Sequence, residues 1–234
     1  MLYINKIKDM RVLVFLIALV CFSFNLFGQK ANLAGKENDP KAKIILDNLK
    51  KQIDSYKTIE IKFELETEIP NQAVDIQNGT YIQDGKKYQV KLKEQEIFTD
   101  GKTSWVYLKS NNEVQINDAS DDAGSAFLSP KQLMEIYNKG EYVYSILEER
   151  KIGKSIYTDI EFKPVSKKSE FAKLRLTIDK KANKLLSLRV FSKDGSRFTI
   201  KVSELLSNKK YDASFFSLNT KSLKGVHVED LRMN

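Results

Sequence analysis

The sequence predicts a mainly β chain of the α+β class, an antiparallel meander of about ten strands with two amphipathic helices laid against it. Three observations carry this expectation. Apolar residues alternate with polar or charged ones in run after run, short polar turns separate the runs, and only two segments repeat their apolar residues at three- and four-residue spacing.

The chain has 234 residues. Lys6, Lys8 and Arg11 lead into the apolar run Val12 to Phe22, and small Gly28 precedes Gln29. That pattern predicts a signal peptide over residues 1–28, with residues 29–234 forming a single exported domain. A retained membrane helix is the alternative, and Ser23 and Asn25 interrupt it. The chain's one cysteine, Cys21, lies in the leader, so the mature chain is expected to have no disulfide or thiol chemistry. Val20 before it and Phe22 behind it are bulky for a lipid-attachment site.

Of 39 Lys and Arg against 31 Asp and Glu, residues 1–28 hold three basic and one acidic, leaving a mature net charge of +6. No block of five or six Lys or Arg follows the leader, which argues against nucleic acid as a partner.

Asp39-Pro40 reads as a cap and first helical residue, and Ile45, Leu46, Leu49, Ile53 and Tyr56 then recur on one helical face. Ile59, Ile61, Phe63 and Leu65 alternate with Glu60, Lys62, Glu64 and Glu66, the period of a strand with one buried and one wet face. Val74/Ile76 and Tyr88/Val90/Leu92 continue the series. Asp100-Gly101 and Asn111-Asn112 are turns, so residues around Ile97-Phe98, Trp105/Tyr107 and beyond Asn112 form three successive strands. A second helix is predicted over 130–139, with Ser129 as cap, Pro130 at its first position, Leu133, Met134, Ile136 and Tyr137 on its apolar face, and Gly140 closing it. Alternation resumes at Tyr144/Ile146, Ile156 to Phe162, Leu174/Leu176/Ile178, Leu186/Leu188/Val190 and Phe198/Ile200/Val202, with polar hairpin turns between the last strands.

Chemistry is sparse. His227, the single histidine, has no Cys, Asp or Glu at a ligand spacing, and no phosphate loop, nucleophile elbow or zinc-protease motif is present, so neither metal nor cofactor is expected. The repeated apolar face is the dominant feature. It either packs as a solid core or lines a cavity for an apolar ligand.

The order of these pieces resembles the periplasmic lipoprotein carrier family, the LolA-like proteins. The likeness rests on the helix followed by the Phe/Ile-rich strand, Gly79-Thr80-Tyr81, Thr99-Asp100-Gly101-Lys102-Thr103-Ser104-Trp105-Val106-Tyr107, the Ser129-Pro130 helix, and the ending Phe216-Ser217-Leu218 to Gly225-Val226-His227-Val228. The resemblance implies an incomplete antiparallel barrel of about ten or eleven strands under two or more helices that act as a lid. It implies a non-enzymatic periplasmic carrier, a monomer, that takes the acyl chains of lipoproteins from an inner-membrane releasing transporter to an outer-membrane acceptor. A lipid-binding sensor of the same fold and an exported hydrolase are the other readings.

On the carrier reading, the cavity and lid comprise Leu46, Leu49, Ile53, Ile61, Phe63, Leu65, Val90, Trp105, Tyr107, Leu133, Ile136, Tyr137, Leu176, Leu188 and Ile200. Many family members carry an Arg-Pro whose arginine latches the lid. This chain reads Ile82-Gln83-Asp84-Gly85-Lys86-Lys87-Tyr88 there and has no match for it.

Overall fold

The computed structural model describes residues 38–119 and 130–232. The leader, Cys21, the cap assigned to Ser129 and most of the loop before it lie outside the described residues.

Helix α1 spans Pro40–Asp54. The Asp39 carboxylate accepts from the N–H groups of Lys41 and Ala42, and Pro40 adds its fixed φ at a position that needs no donor. Ala42, Ile45, Leu46, Leu49 and Ile53 are buried on one face. Lys43–Asp47 and Lys50–Asp54 pairs lie on the wet face, one turn apart. The second predicted helix is shorter than its spacing suggested. Only Pro130–Leu133, α2, is α-helical, and a separate 3₁₀ turn covers Ile136–Asn138. Leu133, Met134 and Tyr137 are nonetheless buried, so tertiary packing is met without continuous helix.

Among the described residues twelve strands form one open sheet: β1 Thr58–Glu68, β2 Asp75–Asp84, β3 Lys87–Lys91, β4 Gln95–Thr99, β5 Thr103–Leu108, β6 Glu113–Asp118, β7 Tyr142–Ile152, β8 Ser155–Pro164, β9 Phe171–Asp179, β10 Lys184–Ser192, β11 Arg197–Ser207 and β12 His227–Asp230. Their order is β12-β6-β5-β4-β3-β2-β1-β11-β10-β9-β8-β7. The expectation of ten or eleven strands is corrected to twelve among the described residues, the last of which, β12, pairs parallel to β6. Nor is the meander continuous. Residues between β6 and β7 carry the chain from one side of the sheet to the far edge, so β1–β6 and β7–β11 are two meanders that meet only along the β1–β11 seam.

Residues directly opposite one another in paired strands share a face, so the register divides the sheet into two surfaces. On the inner face Ile61 stands opposite Tyr81, Tyr81 opposite Val90, and Val90 opposite Ile97. Across the seam Leu65 meets Ile200, then Leu188, Leu176 and Ile160 follow in register. The outer face of β1 carries Glu60, Lys62, Glu64 and Glu66, paired with Lys209, Glu204 and Lys201 in a ladder of ion pairs.

A second apolar cluster lies on that outer face over β2–β6. Ile82, Phe98, Val114 and Phe216 are buried there, away from the helix-covered core. The segment after β11 crosses this surface. Tyr211 donates to Glu60 at 2.5 Å, the Phe215 ring packs tilted and the Phe216 ring edge-on against Tyr211, and Gln89 Nε2 donates to the Phe215 carbonyl. The Asn112 side chain then donates to the carbonyls of Lys224 and Gly225, steering the chain into β12.

Candidate functional site

The helix-covered inner face is the candidate site. Leu46, Leu49, Ile53, Ile61, Phe63, Val90, Leu133, Tyr137, Leu176 and Leu188 are buried in one cluster, and Leu65 and Ile200 pack half-buried against its margin. These predicted residues come together because alternation sets the face within each strand and the register then aligns the strands. The side chain of Ile136 lies outside the described residues.

Trp105 and Tyr107 do not join them. Trp105 stands opposite Phe98 and Ile116, Phe98 opposite Gln89, Gln89 opposite Ile82, and Ile82 opposite Glu60. Trp105 therefore shares the outer face with Glu60, and Tyr107, two residues on, does too. The two residues do share a side of β5, as alternation requires. That side is the outer one, and sequence assigns it wrongly because register across β3 and β4 is not visible in either strand alone.

Several members of the face escape the choice made from sequence. Tyr81, Tyr144, Ile160, Phe162, Leu174 and Ile178 are all buried in the same cluster. For the last four the signal is the same alternation that identifies Leu176 and Leu188. Tyr81 is identified by its pairing with Ile61.

Gly79 shapes the floor. A Cβ built there would lie 2.3 Å from Phe63 Cζ and 2.8 Å from Leu92 Cδ2, so the bare backbone lets the ring and the leucine close over β2. Beside it an open groove of about 420 Å³ is lined by Phe63 and Leu92 together with Lys62, Lys91, Lys93 and Ser203.

The helix is tied down at both ends. Asp39 donates its N–H to Tyr144 O at 3.1 Å, and its carboxylate accepts the Ile146 N–H at 3.3 Å, joining the helix cap to edge strand β7. Burial raises the Asp39 carboxyl's pKa, but these backbone donors outweigh it and hold the group below its ordinary value. At the other end Asn183, in the β9–β10 turn, donates to Asn48 O and Gln52 Oε1.

Tyr137 Oη donates to Asp47 Oδ1 of α1 at 2.8 Å, and Lys131 Nζ donates to Tyr56 O, just beyond the helix, at 3.2 Å. Burial, reinforced by the Asp47 carboxylate, pushes the Tyr137 phenol well above its usual range, so it is a neutral donor. Tyr137 also meets Tyr144 edge to face at 5.9 Å.

Such a surface can sequester an apolar chain. Among the described residues no group of three or more His, Cys, Asp or Glu is placed to hold a metal ion, and no helix is long and apolar enough to cross a membrane.

The chain thus forms an open, largely antiparallel sheet whose inner apolar face is covered by α1. The family described as "Outer membrane lipoprotein carrier protein LolA" matches residues 54–219, more than half of the chain, and the chain belongs to that family. No curated protein matches.

Among solved structures, an uncharacterized conserved protein from Thermus thermophilus is similar at 15% identity and TM-score 0.51, over 81% of this chain and 99% of its own, a likeness of fold. A putative outer membrane lipoprotein-sorting protein domain from Vibrio parahaemolyticus matches at 14% identity and TM-score 0.42, over 77% of this chain and 97% of its own. LprF from Mycobacterium bovis matches at 11% identity and TM-score 0.46, over 76% and 98%.

Proposed function

We propose that the protein is an exported carrier that receives the acyl chains of lipoproteins on its inner face and transfers them from an inner-membrane releasing transporter to an outer-membrane acceptor. The role is binding without bond-making. The observation that supports it most is the half-buried apolar margin, Leu65, Leu92, Val190, Ile200 and Val202, continuous with the fully buried cluster beneath α1. An acyl chain laid along it would exchange water for apolar contact at about 0.8 kcal/mol per CH₂, enough to make shielded transport far better than free exposure.

The test is direct capture. The purified protein is mixed with a triacylated lipoprotein N-terminal peptide and with the same peptide lacking its acyl chains, and complexes are identified by native mass spectrometry. The acylated peptide is expected to bind in one-to-one complex and to be displaced by competing acyl peptide. Equal binding of both peptides, or of neither, would remove the carrier reading.

A further inference from the structure

Three loop tips meet at one end of the sheet. A Cβ at Gly195 would come within 3.2 Å of Pro70, Lys193 Nζ donates to Lys167 O at 2.6 Å, and Lys193 N–H donates to Glu170 O. Residues 69–74, 165–170 and 193–196 are thereby neighbours.

This end is mildly basic. Residues 161–175 hold five cations and two carboxylates and residues 189–197 hold three and one, against Glu66, Glu68 and Asp75 in residues 66–76. Glu161 alone takes Lys163, Lys173 and Arg175, while Glu68 accepts from Arg189 and Arg197. Lys167, Lys168 and Lys193 are exposed on the tips themselves. On the outer face the Phe191 ring lies beneath Lys173 Nζ at 4.8 Å, Arg175 Cζ at 5.4 Å and Arg189 Cζ at 5.9 Å.

The same end also exposes aliphatic side chains. Val74 is 53% and Ile76 58% accessible. Ile76 stands opposite Glu66 on the outer face, at the end of the Arg175–Arg189–Thr199–Glu66 row.

We infer that this end, formed by tips 69–74, 165–170 and 193–196, docks on the surface of an anionic lipid bilayer. Exposed aliphatic residues on one tip, beside lysines on the two neighbouring tips, suit the headgroup boundary, the apolar groups entering the acyl edge while ammonium groups meet phosphates and outweigh Asp75 between Val74 and Ile76. An acidic polypeptide would satisfy the cations but leave Val74 and Ile76 in water. Leu65, Val190 and Phe171, half-buried on the inner face, lie in the portions of β1, β10 and β9 that run into these tips, so docking brings the apolar margin to the membrane.

Vesicle flotation tests this, with phosphatidylcholine alone and with phosphatidylcholine mixed in equal part with phosphatidylglycerol. The parent is expected to bind the anionic vesicles about tenfold more than the neutral ones, with binding lost at high salt. The triple substitution Lys167→Glu, Lys168→Glu, Lys193→Glu should remove that preference. Val74→Ser with Ile76→Ser should weaken binding while leaving its salt dependence. All five positions are exposed, so unchanged thermal unfolding checks that the variants are folded.

Equal binding to both vesicles, no binding to either, or unchanged binding by the triple variant overturns the inference. So does competition by soluble polyglutamate at full strength against the Val74→Ser, Ile76→Ser protein and the parent alike, which assigns the patch to an acidic polypeptide. Acyl-peptide capture in vesicle-free solution is read separately.

Discussion

Asp39 performs two tasks with one carboxylate, capping α1 through Lys41 N–H and Ala42 N–H and joining β7 through Ile146 N–H. Asp39→Ala should therefore cost about 1 kcal/mol or somewhat more, read from urea unfolding. The pH dependence has a definite sign. The folded carboxyl has a pKa below its ordinary 3.8, so its stabilisation is fully present above that value and is lost as pH falls through the lower folded one. Thermal unfolding of the parent and Asp39→Asn should converge in acid and separate toward neutrality; a gap independent of pH would count against this account.

Gly79 is the other position where a single atom decides. Gly79→Ala drives a methyl into the Phe63 ring and Leu92, and an overpacked core costs about 1–3 kcal/mol. Adding Phe63→Leu should recover part of that loss, and strictly additive losses in the double variant would refute the contact.

At the scale of elements, the attachment of segment 130–138 to α1 is the part most open to adjustment. Tyr137→Phe keeps the ring and its edge-to-face contact with Tyr144 but removes the bond to the Asp47 carboxylate, at a cost of about 1.5–3 kcal/mol. Amide exchange in residues 130–138 should accelerate several-fold while that of β8 and β9 stays unchanged. Uniform acceleration throughout would show that the tyrosine supports the whole core instead.

The elements themselves are largely legible in the sequence, because alternation and helical spacing report which residues face inward regardless of what lies opposite. Helix α1 and β1 follow from Asp39-Pro40 and from Ile59 to Leu65. Segment 130–139 misleads because its apolar spacing records burial of Leu133, Met134 and Tyr137, which a single turn plus a 3₁₀ turn also achieves. Trp105 misleads for a different reason. Its side depends on pairings through β4, β3 and β2 back to β1, information spread over several strands at once. The second cluster around Phe216 depends likewise on a segment that returns to the sheet from far along the chain.

For the whole molecule, the two faces separate two readouts. Trp105 lies on the outer face, so its emission should hardly change when an acylated peptide occupies the inner one. A tryptophan placed at Ile200, in a Trp105→Phe background, should shift to the blue on the same addition, since that margin passes from half-wet to covered. A strong response of Trp105 with none at position 200 would put the ligand on the opposite surface.

The seam between the two meanders has a consequence for how the chain is made. Ile59 pairs with Ser207 and Glu68 with Arg197, so the centre of the sheet joins residues separated by most of the domain. Such distant pairings form slowly, because loop closure precedes any gain from contact. During synthesis β1 can pair with β2 at once, but its other edge must wait until β11 has emerged. A nascent chain ending before Arg197 is thus left with an unpaired edge in the middle of its future sheet, open to pairing with another chain until the closing strand arrives.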